Sequence, residues 1–147
     1  MSEAFQIRDA DLNDAASLAA LMTELGYETT EGEMRARLNQ ILPDKSFKTL
    51  VAVADGRVCG MIGTILNPSY EHNDISGRIL ALVVSNGMRR HGIGRKLVAA
   101  AEKHFLEKKI RRIAVNTRLT RKEAHSFYES LGYERNGFRF LKKLTDA

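Results

Sequence analysis

The residues with the most chemistry to offer lie at Arg89-Arg90-His91-Gly92-Ile93-Gly94-Arg95-Lys96, where positive side chains crowd around two glycines. In front of them runs the unbroken apolar stretch Ile79 to Val84, which by length and β-branching predicts a buried strand. Behind them Ile93, Leu97, Ala101 and Phe105 recur at the spacing of one helix face. A strand, a glycine turn and a helix start together make an anion site. Glycines at 92 and 94 are expected to let the backbone take unusual dihedrals and bring its N–H groups close to a ligand. Those N–H groups are the unpaired donors of the first helical turn, and the helix dipole adds positive potential there. Arginine forks at 89, 90 and 95 suit phosphate oxygens, so the natural guest is a phosphate or pyrophosphate.

Two familiar phosphate loops are excluded. A Walker loop requires Gly-Lys-Ser/Thr, and Gly94 is followed by Arg95-Lys96-Leu97, with no hydroxyl for magnesium. A dinucleotide-binding turn requires a third glycine where this chain has Leu97. Arg89-x-x-Gly92-x-Gly94 behind an apolar strand instead resembles the acyl-coenzyme A signature of the GNAT superfamily of N-acetyltransferases. The segment from Arg121 through Ala124-His125 and Phe127-Tyr128 to Leu131-Gly132-Tyr133 resembles that superfamily's second diagnostic segment. The resemblance extends from about Ile7 to Leu144. Gly60-Met61-Ile62-Gly63, the Ala124-His125 helix and the Phe138-Arg139-Phe140 ending are similar to its aminoalkylphosphonate and small-amine subgroup.

That resemblance implies an acetyl-CoA-dependent enzyme acting by direct transfer to a primary amine in a ternary complex. Transfer needs a neutral amine, a donor for charge developing on the thioester oxygen, and a proton for the departing sulfur. The resemblance assigns the backbone of Leu82, Val83 and Val84 to the pantetheine arm, with the Val84 N–H as the oxyanion donor. It assigns Arg89, Arg90, His91, Gly92, Ile93, Gly94 and Arg95 to the phosphates, with Arg121 as a further cofactor contact or a helix-start charge. Tyr128 is the implied acid: a phenol with a reference pKa near ~10 is not itself ionised at neutral pH. The glutamate that many relatives carry on the central strand is absent, its place taken by Leu80 and Ala81. Glu24, Glu28, Glu71, His72 and Asp74 remain as alternatives for a base. A small amine is the expected acceptor, a protein N-terminus or lysine the second choice, and a non-catalytic coenzyme A sensor the reading from another class.

The elements that must position these groups can be read in order. Phe5 to Arg8 alternates as a strand, and Asp11 to Gly26 reads as a helix ending at glycine. Thr30-Glu31-Gly32-Glu33 is a capping box opening a helix that stops before Pro43. Thr49 to Ala54 and Arg57 to Leu66 are strands joined by the hairpin signal Asp55-Gly56. Gly60 and Gly63 within the second of them predict a bulge or a close backbone approach. After the central strand and helix come a strand over Arg112 to Asn116, a helix over Arg121 to Leu131, and a closing strand over Phe138 to Leu144. This is an α/β mixed sheet, and the resembled fold completes it as β-α-α-β-β-β-α-β-α-β-β.

Composition fits one N-acetyltransferase domain over residues 1–147, at about 100–200 residues per domain. No stretch approaches a membrane span or a signal peptide, so neither membrane nor leader is expected and a cytoplasmic protein is. A lone Cys59 on a strand reads as a small buried hydrophobe, and no metal site is expected. The net charge of +5 is concentrated in residues 89–112, of which Lys103 to Arg112 reads as a solvated face and a favourable helix end. Without interleaved aromatics this basic span does not predict nucleic-acid binding. A homodimer is what the resemblance implies.

Overall fold

The computed structural model describes residues 4–116, 122–137 and 140–144. The chain divides into two compact units, Met1–Val115 and Asn116–Ala147.

The first unit holds β1 (Gln6–Asp9), α1 (Ala15–Leu25), α2 (Glu31–Ile41), β2 (Phe47–Ala54), β3 (Arg57–Asn67), β4 (Ser76–Val84), α3 (Ile93–Glu107) and β5 (Ile113–Val115). Its five strands lie in the order β1-β2-β3-β4-β5. All neighbours are antiparallel except β4 and β5, which are parallel and joined by α3. The result is a mixed α/β fold, as the sequence predicts. Asp55 and Gly56 both take positive φ, 51° and 74°, which is the geometry a two-residue hairpin needs to match strand twist. The capping box at Thr30 is formed in both directions, Glu33 N–H to the Thr30 hydroxyl and Thr30 N–H to the Glu33 carboxylate.

Side chains alternate across the sheet and so divide its two faces. On one face Ala15, Leu18, Leu21, Met34 and Leu38 from α1 and α2 pack on Val51, Met61 and Val83. On the other lies α3. A Cβ placed on Gly60 would sit 3.2 Å from both Ile93 and Leu97, and one on Gly77 would sit 2.5 Å from the ring of fully buried Phe105. Both glycines are there so that α3 can approach the strands closely. Gly63 marks the other predicted feature. The register steps between Gly63, facing Ala81, and Thr64, facing Ile79, so Leu80 is the extra residue of a bulge in β4. A second bulge places Cys59 between Val58 and Gly60 in β3; its buried thiol lies 3.5 Å from the Ala52 carbonyl.

Three expectations need correction. Among the two turn glycines only Gly92 takes positive φ; Gly94 is already the second residue of α3 and is helical, because the helix begins one residue earlier than a two-glycine turn would need. The first helix starts at Ala15 rather than Asp11, since Asp11 and Asp14 form a separate capping box around a short 3-10 turn at Leu12–Asp14. The closing strand is not formed at residues 140–144, where Phe140, Leu141 and Leu144 stand exposed and extended pairing would bury no face; Phe138 and Arg139 lie outside the described residues.

In the second unit α4 spans Lys122–Ser130 and ends in a turn where the Leu131 and Tyr133 N–H groups donate to the Tyr128 carbonyl. Gly132 has φ 91°, so a residue without Cβ is needed there.

Candidate active site

Strand β4 treats its two edges differently. Toward β3 it is paired from Ser76 to Val84, whereas β5 pairs with it only over Gly77 to Ile79. The bulge at Leu80 coincides with the point where the parallel partner stops. The Ser85 N–H donates to the Cys59 carbonyl on the β3 side at 2.8 Å. By strand alternation the N–H groups of Val84 and Leu82 therefore point to the opposite edge, and that of Val83 points to β3. The Arg89 Nε–H bond to the Val84 carbonyl, at 3.2 Å, agrees with this phase. Val83 spends its backbone on the sheet and its side chain on the core, so Leu82 and Val84 are the two of the three that present backbone to the open edge.

The chain then makes a 3-10 turn at Asn86–Met88, and Arg90 and Gly92 both take left-handed backbone, with φ 69° and 79°. Gly92 is the residue before α3 and offers no capping side chain. The first intrahelical bond runs from Lys96 N–H to the Gly92 carbonyl, so the Ile93, Gly94 and Arg95 N–H groups emerge from the helix end without an intrahelical acceptor. Arg89, Arg90, His91, Arg95 and Lys96 surround them, all exposed, and no ion pair occupies any of these side chains among the described residues. Ile93 itself is buried against Gly60, which fixes the helix end to the sheet. This helix start is uncapped, without a side chain at Gly92, and cationic, which is what a pyrophosphate requires.

Of the alternatives for a base, Glu24 reaches the Asn86 N–H at 3.5 Å and so stands beside the turn, a contact between distant segments that no local pattern announces. Asp74 is held by Arg112 at 2.6 Å. Desolvation opposes ionisation there, but the Arg112 hydrogen bond and charge prevail and hold the carboxyl below its ordinary value. Glu71 accepts from the Ser69 hydroxyl; His72 and Glu28 are exposed. A polar groove of about 420 Å³ runs beside α1, from Asn13 and Ser17 to Glu24, with Arg57 and Ser85 opposite. It lies toward β3, away from the open edge of β4.

In the second unit Tyr128 is buried and meets Phe127 and Tyr133 edge-on, with ring centroids 5.2 and 5.6 Å away. Burial pushes its phenol up to about 12. Arg121 lies outside the described residues.

Comparison with known proteins identifies the family to which this fold, with its cationic helix start after the central strand, belongs. Residues 15–133 match the Acetyltransferase (GNAT) family model. An aminoalkylphosphonate N-acetyltransferase of Salmonella typhimurium is 32% identical over 140 residues, covering 95% of this chain and 91% of that protein. A GNAT family acetyltransferase of Staphylococcus aureus superposes with a TM-score of 0.82 at 26% identity, covering 98% of this chain and all of that one, 100%. An aminoglycoside N-acetyltransferase in complex with coenzyme A superposes with a TM-score of 0.86 at 18% identity, covering 98% of this chain and 97% of that one. The chain belongs to the GNAT family and is an acetyl-CoA-dependent N-acetyltransferase.

Proposed function

We propose that the chain acetylates a small primary amine by direct transfer in a ternary complex with acetyl-CoA. The observation that carries this reading is the uncapped, cationic start of α3, which follows in the chain the end of β4 that has no partner on its β5 side among the described residues. The bound coenzyme supplies an activated acetyl thioester. The Ile93, Gly94 and Arg95 N–H groups, with the side chains of Arg89, Arg90, His91 and Arg95, hold its phosphates, and Arg121 adds a contact. The backbone at Leu82 to Val84 guides the pantetheine arm, and the Val84 N–H donates to the thioester oxygen as charge gathers there. Tyr128 donates to the departing sulfur. Against a thiol near ~8.5, a phenol at about 12 makes complete transfer uphill by roughly 5 kcal/mol, so its donation accompanies loss of the amine's proton. Asp74, committed to Arg112, is the weakest base among the alternatives.

The family match runs from one compact unit into the other, which supports reading residues 1–147 as a single catalytic domain. The Salmonella relative's acceptor class supports a small amine over a polypeptide. A cytoplasmic homodimer completes the reading; among the described residues no helix is long and apolar enough to cross a membrane.

The test is a thermal melt with and without acetyl-CoA, followed by thiol release against small amines and peptides. Binding to the folded state raises the melting temperature by mass action. A shift with release on small amines is expected; a shift without release on any amine would establish a sensor instead. Tyr128→Phe should slow turnover by about 10- to 100-fold while keeping the melting shift. No acidic or basic limb from this phenol is expected in the rate below about pH 10. Its raised value also makes a stability contribution that is full below about pH 10 and fades as pH rises toward about 12, a slope that Tyr128→Phe removes.

A further inference from the structure

Arg78 lies in the middle of the sheet, two residues before the bulge, and nothing so far gives it a task. In the register it faces Ile65 on β3 and Ala114 on β5. Its neighbours Gly77 and Ile79 point to the α3 face, where Gly77 meets Phe105, so Arg78 projects from the α1 and α2 face. The next positions along that face are Gly63 and Ala81, a missing and a small side chain. Its Nε is buried and has no hydrogen-bond partner among the described residues. A buried guanidinium N–H left unpaired is costly, which makes it a place where an anion is missing. Among the described residues Arg78 forms no ion pair, and Asp74, in the loop before β4, is taken by Arg112.

We infer that Arg78 binds an acidic group of the acceptor, so that the amine acetylated is one carrying a phosphonate, phosphate or carboxylate a few bonds away. This rests on the transferase reading above. Leu82 is four residues on, one of them the bulge, or about 10–13 Å at ~3.3 Å per residue. An arginine side chain covers part of that gap, and a small amino acid or aminoalkylphosphonate spans the rest. Arginine suits the task because its fork meets two oxygens of such a group at once.

Two readouts separate the claims. The first is binding of propylphosphonate and of butyrate, neither of which can be acetylated, measured by calorimetry on wild type, Arg78→Gln and Arg78→Lys. The second is kcat/KM for aminoethylphosphonate, β-alanine and propylamine. Wild type should bind at least one of the two anions and prefer the matching anionic amine to propylamine. In Arg78→Gln that preference should shrink by about 100-fold, chiefly through KM, with Arg78→Lys restoring part of it. The two anionic amines distinguish phosphonate from carboxylate. Equal losses on propylamine and the anionic amines, or anion binding unchanged in Arg78→Gln, would overturn the role of Arg78. Anion binding that depends on Arg78 without turnover of any amine would uphold it and sink the transferase reading instead.

Discussion

The two edges of β4 are made of the same apolar residues and behave oppositely. Along β3 every position from Ser76 to Val84 other than the bulged Leu80 has a partner, while along β5 three do. The paired edge holds the fold; the other, unpaired beyond Ile79 among the described residues, is the one that meets the ligand in the function proposed above. A sheet ordinarily hides such an edge. Here the bulge at Leu80 opens it where the glycine turn brings the cationic helix start of α3.

The sharpest way to break that contrast is to remove one N–H from each edge. Val83→Pro deletes a donor aimed at β3 and should cost about 3 kcal/mol or more in a urea unfolding curve. Val84→Pro deletes one aimed at the open edge and should cost less stability, while turnover falls by about 100-fold or more through loss of the oxyanion donor. If Val84→Pro unfolds the protein as readily as Val83→Pro, the edges are not distinct.

Smaller in effect is the packing that supports the open edge from behind. Gly77→Ala would push a Cβ into the Phe105 ring and should cost about 1–3 kcal/mol by thermal melting. Gly87→Ala, in the turn, meets nothing within 4 Å and should change stability by less than about 0.5 kcal/mol. Equal effects would mean that α3 is not seated on β4 through that glycine.

The mildest change concerns Arg90, held at φ 69° without being glycine. Arg90→Gly should stabilise the fold by about 1 kcal/mol through relief of that strain. It should also weaken coenzyme A binding about fivefold by calorimetry, the usual scale for one exposed charge contact. A variant that gains stability and loses nothing in binding would show that the strained arginine has no part in the site.

What the sequence made legible was local. The Asp55-Gly56 hairpin, the Thr30 capping box and the Gly26 helix end are short-range chemistry, and each appears where the residue types put it. The glycine turn was legible too, although only one of its glycines uses its freedom. The bulge at Leu80 was not, because it depends on which β3 residue faces which β4 residue, and an apolar run reads alike in either register. Nor was the close fit of Gly77 on Phe105, since Gly77 carries no local turn signal and its reason lies on α3. The alternation at Phe138 to Leu144 misled at its described end for the same cause: a pattern promises a strand, but only a partner forms one. Arg78 carries no local signal either; its meaning comes from an Nε buried without a hydrogen-bond partner among the described residues, which depends on how the sheet packs.

The seating of Ile93 and Leu97 against Gly60 has a consequence for exchange with solvent deuterium. The amides of Ile93, Gly94 and Arg95 belong to a helix that is pinned to the sheet, yet have no carbonyl within it to shield them. They should exchange near the rate of an open chain while Leu97 and Val98, a turn further on, exchange only when the helix opens. The helix thus carries its own internal clock pair. Ligand at its end would slow the first three amides and leave the others as they were, reporting occupancy of the site without any movement of the backbone.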